Sequence, residues 1–155
     1  DANWHFIGHL QGNKARRAVQ LFHRIDSVDS DSLARKLDAI AAEQQKRIPI
    51  LIEVRLSDET SKTGVAGNDL KNLAENVLQL PHLELLGLMT IPPFFENAED
   101  SRPFFHMLRS LRDELAAKLH VKLPVLSMGM SHDFEIAIEE GATEIRVGTD
   151  IFGER

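Results

Sequence analysis

The sequence predicts an α/β fold with parallel strands, here an incomplete (β/α)8 TIM barrel of about six βα units. Three observations carry that expectation. Apolar runs alternate with amphipathic stretches six times along 155 residues, which is the signature of a parallel sheet covered by helices. Within Ile50–Leu56, the side chains Ile50, Ile52, Val54 and Leu56 alternate with Leu51, Glu53 and Arg55. A central strand of an open doubly wound sheet is more continuously apolar, and opposite charges on one face suit a barrel interior; a solvated edge strand is the competing reading. Finally, six units of eight leave roughly 60 residues unaccounted for, at ~30 per unit. The chain begins at Asp1 almost directly in strand-like sequence and stops at Arg155 just inside a helix or turn. It is therefore expected to be one barrel domain, residues 1–155, lacking the first two βα units.

The strand runs are His5–Leu10, Arg24–Val28, Ile50–Leu56, Leu83–Thr90, Val125–Met130 and Glu144–Gly148. Between the first two, Lys14–Phe22 places Ala15, Ala18, Val19 and Phe22 on one helical face. Ser32–Lys46 carries Leu33, Leu37, Ile40 and Ala41 at helical spacing, with Asp31 or Ser32 as N-cap. Leu70–Leu80 sets Leu70, Leu73, Val77 and Leu80 in a stripe, and Arg102–Leu119 repeats the pattern with Phe105, Leu108, Leu111 and Leu115. Phe134–Glu140 is a short helix ended by Gly141.

Composition excludes several function classes. Eighteen basic and 24 acidic residues give a net charge of −6, against a nucleic-acid binder that needs a basic face. No apolar run nears the ~20 residues of a membrane span, and no signal-peptide core follows Lys14, Arg16 and Arg17. The chain has no Cys, so thiolate metal sites and thiol nucleophiles are absent and a cytoplasmic location is compatible. His5 and His9 invite a metal reading, but on an extended strand they stand ~13 Å apart, too far for one ion. There is no Gly-x-Ser-x-Gly elbow, no phosphate-binding Gly-x-x-x-x-Gly-Lys-Ser/Thr loop and no Rossmann Gly-x-Gly-x-x-Gly.

In a barrel, chemistry sits on the loops after the strands, and phosphate often binds after the last two. Leu126-Ser127-Met128-Gly129-Met130-Ser131 runs into a helix near His132, and Ile145-Arg146-Val147-Gly148-Thr149-Asp150 repeats the order strand, Gly, hydroxyl. Side by side, these turns would form a phosphate cup of N–H and hydroxyl donors. Arg146 would point inward beneath it. Taken singly, Ser131 reads as a helix cap, Gly148 as a turn residue and Arg146 as half of an internal ion pair, for example with Glu53. Asp133, Glu135 and Asp150 would repel a phosphate unless they point away. Asp29 reads as part of a strand end with its helix cap, and Pro92-Pro93-Phe94-Phe95 as a stiff loop, either lid or partner patch.

Several motifs carry a family resemblance. Trp4-His5-Phe6-Ile7-Gly8-His9-Leu10-Gln11 with Asn13-Lys14, then Ser27-Val28-Asp29-Ser30, Ser61-Lys62-Thr63-Gly64 and Gly87-Leu88-Met89-Thr90-Ile91-Pro92 resemble the pyridoxal-phosphate homeostasis proteins, the YggS/PROSC family. Leu126 through Phe134 and Arg146 through Gly153 are similar to that family's closing signature and to the alanine racemase barrel. The resemblance implies a barrel of the alanine racemase type holding pyridoxal 5′-phosphate. Ser131, Gly148 and Thr149 would bind the phosphate, and Arg146 would face the pyridine nitrogen, where a cation weakens the ring as an electron sink. It implies a non-catalytic cofactor carrier in the cytoplasm, acting as a monomer and delivering the cofactor to apo-enzymes, with no nucleic-acid, membrane or metal partner. An amino-acid racemase is the alternative, disfavoured by the absence of Tyr, and a sugar-phosphate barrel enzyme is a second. Two departures stand out. The family's Schiff-base lysine belongs to the first barrel strand and is expected in an absent N-terminal segment, since Lys62 sits in a different motif. Arg55 replaces a usual Asn.

Overall fold

The computed structural model describes residues 2–57 and 63–153. Asp1, Ser61, Lys62 and Arg155, which figure in the sequence reading, lie outside the described residues. In chain order the elements are β1 (His5–Phe6), α1 (Ala15–Leu21), β2 (Arg24–Val28), α2 (Asp31–Glu43), β3 (Ile48–Arg55), β4 (Val65–Ala66), α3 (Gly67–Leu78), β5 (Leu83–Met89), α4 (Arg102–Leu119), β6 (Val125–Met130), α5 (Phe134–Glu139), β7 (Glu144–Arg146) and α6 (Thr149–Phe152).

Every strand pairing is parallel, and the sheet runs β1-β2-β3-β5-β6-β7, with β4 joined to the last two residues of β3. Strands thus follow one another in sequence order with no reversal. That excludes the doubly wound alternative, whose strand order reverses at a switch point.

The sheet curls, and one ion pair shows how strongly. Arg24 on β2 bonds Glu144 on β7, with Nη1 to Oε1 at 2.8 Å. Those strands are four steps apart, roughly 19 Å in a flat sheet at ~4.8 Å spacing. Two side chains meet there because their shared face is concave.

Glu53, Met89, Ser127 and Glu144 are consecutive register partners and line this inner face. On the opposite face Ile25, Ile50, Ile52, Val54 and Leu88 pack against the helices in one apolar core, with Val19, Leu37, Leu70, Val77, Phe105 and Leu108. The half-polar pattern of β3 is therefore a barrel pattern, with Glu53 only 4% exposed.

Local differences from the sequence reading have simple causes. β1 stops at Phe6, because beyond it Gly8 gives its carbonyl to the Ser27 hydroxyl at 2.6 Å and the chain turns to bury Leu10. The cap of α2 is Ser30, whose Oγ accepts from Leu33 N; Asp31 opens the helix and pairs with Arg35. β7 ends at Arg146, and α5 starts at Phe134 after the Asp133 carboxylate accepts the Met130 N–H. Among the described residues no helix is long and apolar enough to cross a membrane.

Candidate functional site

The two turns singled out in the sequence meet at the C-terminal rim of the sheet. Ser131 Oγ, after β6, accepts hydrogen bonds from Gly148 N at 3.1 Å and Asp150 N at 3.4 Å, after β7. Gly148 and Thr149 are exposed, and nothing lies within 4 Å of where a Cβ on Gly148 would stand. Packing does not demand a glycine there. The space above its backbone is open. Of the three nearby acids, Asp133 is turned inward onto Met130 N, whereas Glu135 and Asp150 are exposed.

Arg146 lies below this rim on the inner face. Its guanidinium donates to Ser127 Oγ at 2.7 Å and to the Thr90 carbonyl at 2.8 Å, so the expected ion pair with Glu53 gives way to two neutral acceptors. Burial lowers its affinity for a proton, while Asp26, Asp133, Glu53 and Glu144 act on it from farther off. The group stays charged at neutral pH.

Glu53 instead accepts from Thr63 Oγ1 at 2.7 Å. Burial pushes its carboxyl above the usual range, and the charge of Asp29 adds to this against Thr63, Arg146 and His9. Asp29 and His9 line a small cavity of about 260 Å³ together with Ser30 and Lys36.

Sequence reasoning missed the lower layer of the interior. Arg24 is a bidentate partner of Asp26, with Nε to Oδ1 at 2.6 Å and Nη2 to Oδ2 at 2.8 Å, and it also binds Glu144. These bonds offset the cost of burial and raise its pKa, and Arg24 in turn holds Glu144 below the usual carboxylate range. His5, Asp26 and Glu144 present metal-type ligand atoms within 4.8 Å of one another. The guanidinium already engages both carboxylates, so the cluster is an internal salt bridge by construction. The alternation Arg24-x-Asp26 was the available signal.

The Pro92–Phe95 loop sits on the same rim. Phe94 is 78% exposed with its ring 5.2 Å from that of His132, while Phe95 packs on Phe104 at 5.5 Å. Another cavity, of about 580 Å³, is lined by Arg102, His106 and Glu140 among others and by no strand residue. Arg102 there is held by Glu99, Glu139 and Glu140.

Comparison with known proteins agrees with this fold. The family model for the alanine racemase N-terminal domain matches residues 1–155. The pyridoxal phosphate homeostasis protein of Aquifex aeolicus is 52% identical over the whole chain and 68% of its own length. The human protein of that name is 37% identical over 163 aligned residues, covering all of this chain and 59% of its own length. PipY of Synechococcus elongatus PCC7942, solved with PLP bound, superposes with a TM-score of 0.92 at 40% identity, over 99% of this chain and 71% of PipY. Alanine racemase of Clostridium difficile, at 14% identity and a TM-score of 0.76 over 96% of this chain and 38% of its own, shares the fold alone. The chain spans about two thirds of the length of the curated relatives it matches.

Proposed function

The chain belongs to the alanine racemase N-terminal domain family and, within it, to the pyridoxal phosphate homeostasis proteins, and we propose that it binds pyridoxal 5′-phosphate as a cytoplasmic carrier for apo-enzymes. The observation that carries this reading is the joining of two strand-end turns through Ser131, with open space over Gly148 and a charged Arg146 below.

These residues fit the cofactor. Ser131, Gly148 and Thr149 would hold the phosphate, Ser131 and Thr149 through their hydroxyls and Gly148 through an N–H that donates to Ser131 Oγ and would pass to the phosphate, since hydrogen bonds to a charged acceptor are about twice as strong as neutral ones. Arg146 would stand against the ring nitrogen. Bound there, the cofactor supplies an aldehyde that condenses reversibly with amines. A cation beside the ring nitrogen opposes its protonation and weakens the ring as an electron sink.

The test is binding of pyridoxal 5′-phosphate and of pyridoxal to the 155-residue chain, followed by fluorescence quenching, with alanine racemisation assayed in parallel. The phosphate ester should bind saturably and far more tightly than pyridoxal, and no racemisation should occur. Equal affinity for the two, or sustained racemisation, would overturn the proposal.

A further inference from the structure

Two arginines share the interior, and the fold treats them in opposite ways. Arg24 is neutralised by two carboxylates, Asp26 and Glu144. Arg146, whose long-range neighbours include those same carboxylates, is bonded to two neutral oxygens. Both oxygens are fixed. Thr90 is fully buried, its hydroxyl donates to the Val54 carbonyl at 2.8 Å, and its N–H donates to the Ser127 carbonyl at 3.2 Å. Ser127 is 1% exposed in a strand whose other buried residues are Leu126, Met128 and Gly129. A buried hydroxyl in such a strand costs stability unless it is bonded, and Arg146 is its bonded partner.

We infer that Ser127, acting with the Thr90 carbonyl, is the positioning residue that keeps the charge of Arg146 directed at the cofactor ring, while Arg24 occupies the carboxylates that would otherwise capture it. The inference rests on the carrier reading for the ligand and on the ligand-free geometry for the clamp. A guanidinium held by neutral acceptors keeps its full field for the ring nitrogen. One captured by Asp26 or Glu53 would be cancelled and turned away.

The experiment uses ring-¹⁵N pyridoxal 5′-phosphate and nitrogen NMR on the unaltered chain and on Ser127→Ala, Ser127→Cys and Ser127→Thr, with melting curves to confirm folding. Cys is nearly isosteric but a weak acceptor; Thr restores the hydroxyl. In the unaltered chain the bound ring nitrogen should stay unprotonated, and ligand-free Arg146 should show resolved Nη–H signals. Ser127→Ala and Ser127→Cys should raise the ring-nitrogen pKa by about one unit, the scale of one nearby charge, and average the Nη–H signals. Ser127→Thr should restore both. An unchanged ring-nitrogen pKa in the Ala and Cys variants, or averaged Nη–H signals in the unaltered ligand-free chain, would overturn the clamp alone. Failure of the unaltered chain to bind the cofactor would overturn the carrier reading and this inference together.

Discussion

Replacing Gly148 by Ala separates a glycine used for binding from one used for folding. The added methyl meets no atom within 4 Å, and the residue's φ is −123°, outside the left-handed region. The fold should therefore change by no more than about 0.5 kcal/mol, as for a surface substitution, which for a chain of this size is a melting shift under ~2 °C. The same methyl projects into the open mouth between the two turns, where the phosphate would have to approach the backbone. Loss of one hydrogen bond to a charged group removes about 1.5–3 kcal/mol, so at ~1.4 kcal/mol per decade affinity should fall roughly 10- to 150-fold. Fluorescence titration with pyridoxal 5′-phosphate, competed by inorganic phosphate, reads the affinity, and a melting curve reads the fold. A variant that melts several degrees lower yet binds unchanged would refute the reasoning.

Other perturbations test the surrounding account. Gly129→Ala should be the opposite case: its Cβ would lie 2.5 Å from that of Ala137, with φ at +92°, so a loss of about 2–4 kcal/mol is expected from overpacking and backbone strain; a urea midpoint near the unaltered value would contradict it. Arg24→Met leaves Asp26, 2% exposed, without its main partner and should cost about 3–5 kcal/mol in denaturant unfolding, whereas an unchanged midpoint would mean that the bridge is ornamental. Glu53 has a raised carboxyl pKa, so the folded state takes up its proton more readily than the unfolded one and stability falls as pH rises from the ordinary Glu value through the folded one. Glu53→Gln should remove that decline, and identical pH–stability slopes for the two proteins would count against it.

The fold was largely legible because its signal is periodic. β2, β6 and α4 fall where the apolar patterns place them, Arg24–Val28, Val125–Met130 and Arg102–Leu119. The two-residue β4 is too short to leave a period, and the α2 cap slipped to Ser30 because several capping residues stand in a row, Asp29 through Ser32. The meeting of the last two turns was also legible, since each turn repeats Gly and hydroxyl at the same place. What the sequence could not display is pairing across the concave face. The partner of Arg146 looked like an acid, because charge suggests charge, yet curvature delivers Ser127 and Thr90 instead. Likewise Arg24 and Glu144 are 120 residues apart and meet only because the sheet bends.

The most direct test of the central claim is a backbone amide NMR titration of this chain with pyridoxal 5′-phosphate. Saturable shifts at Ser131, Gly148, Thr149 and Asp150, with the side-chain signals of Arg146 moving at the same ligand concentration, are the predicted result. Shifts that leave those turns silent and cluster instead around Arg102, His106 and Glu140, in the cavity beside α4, would contradict it.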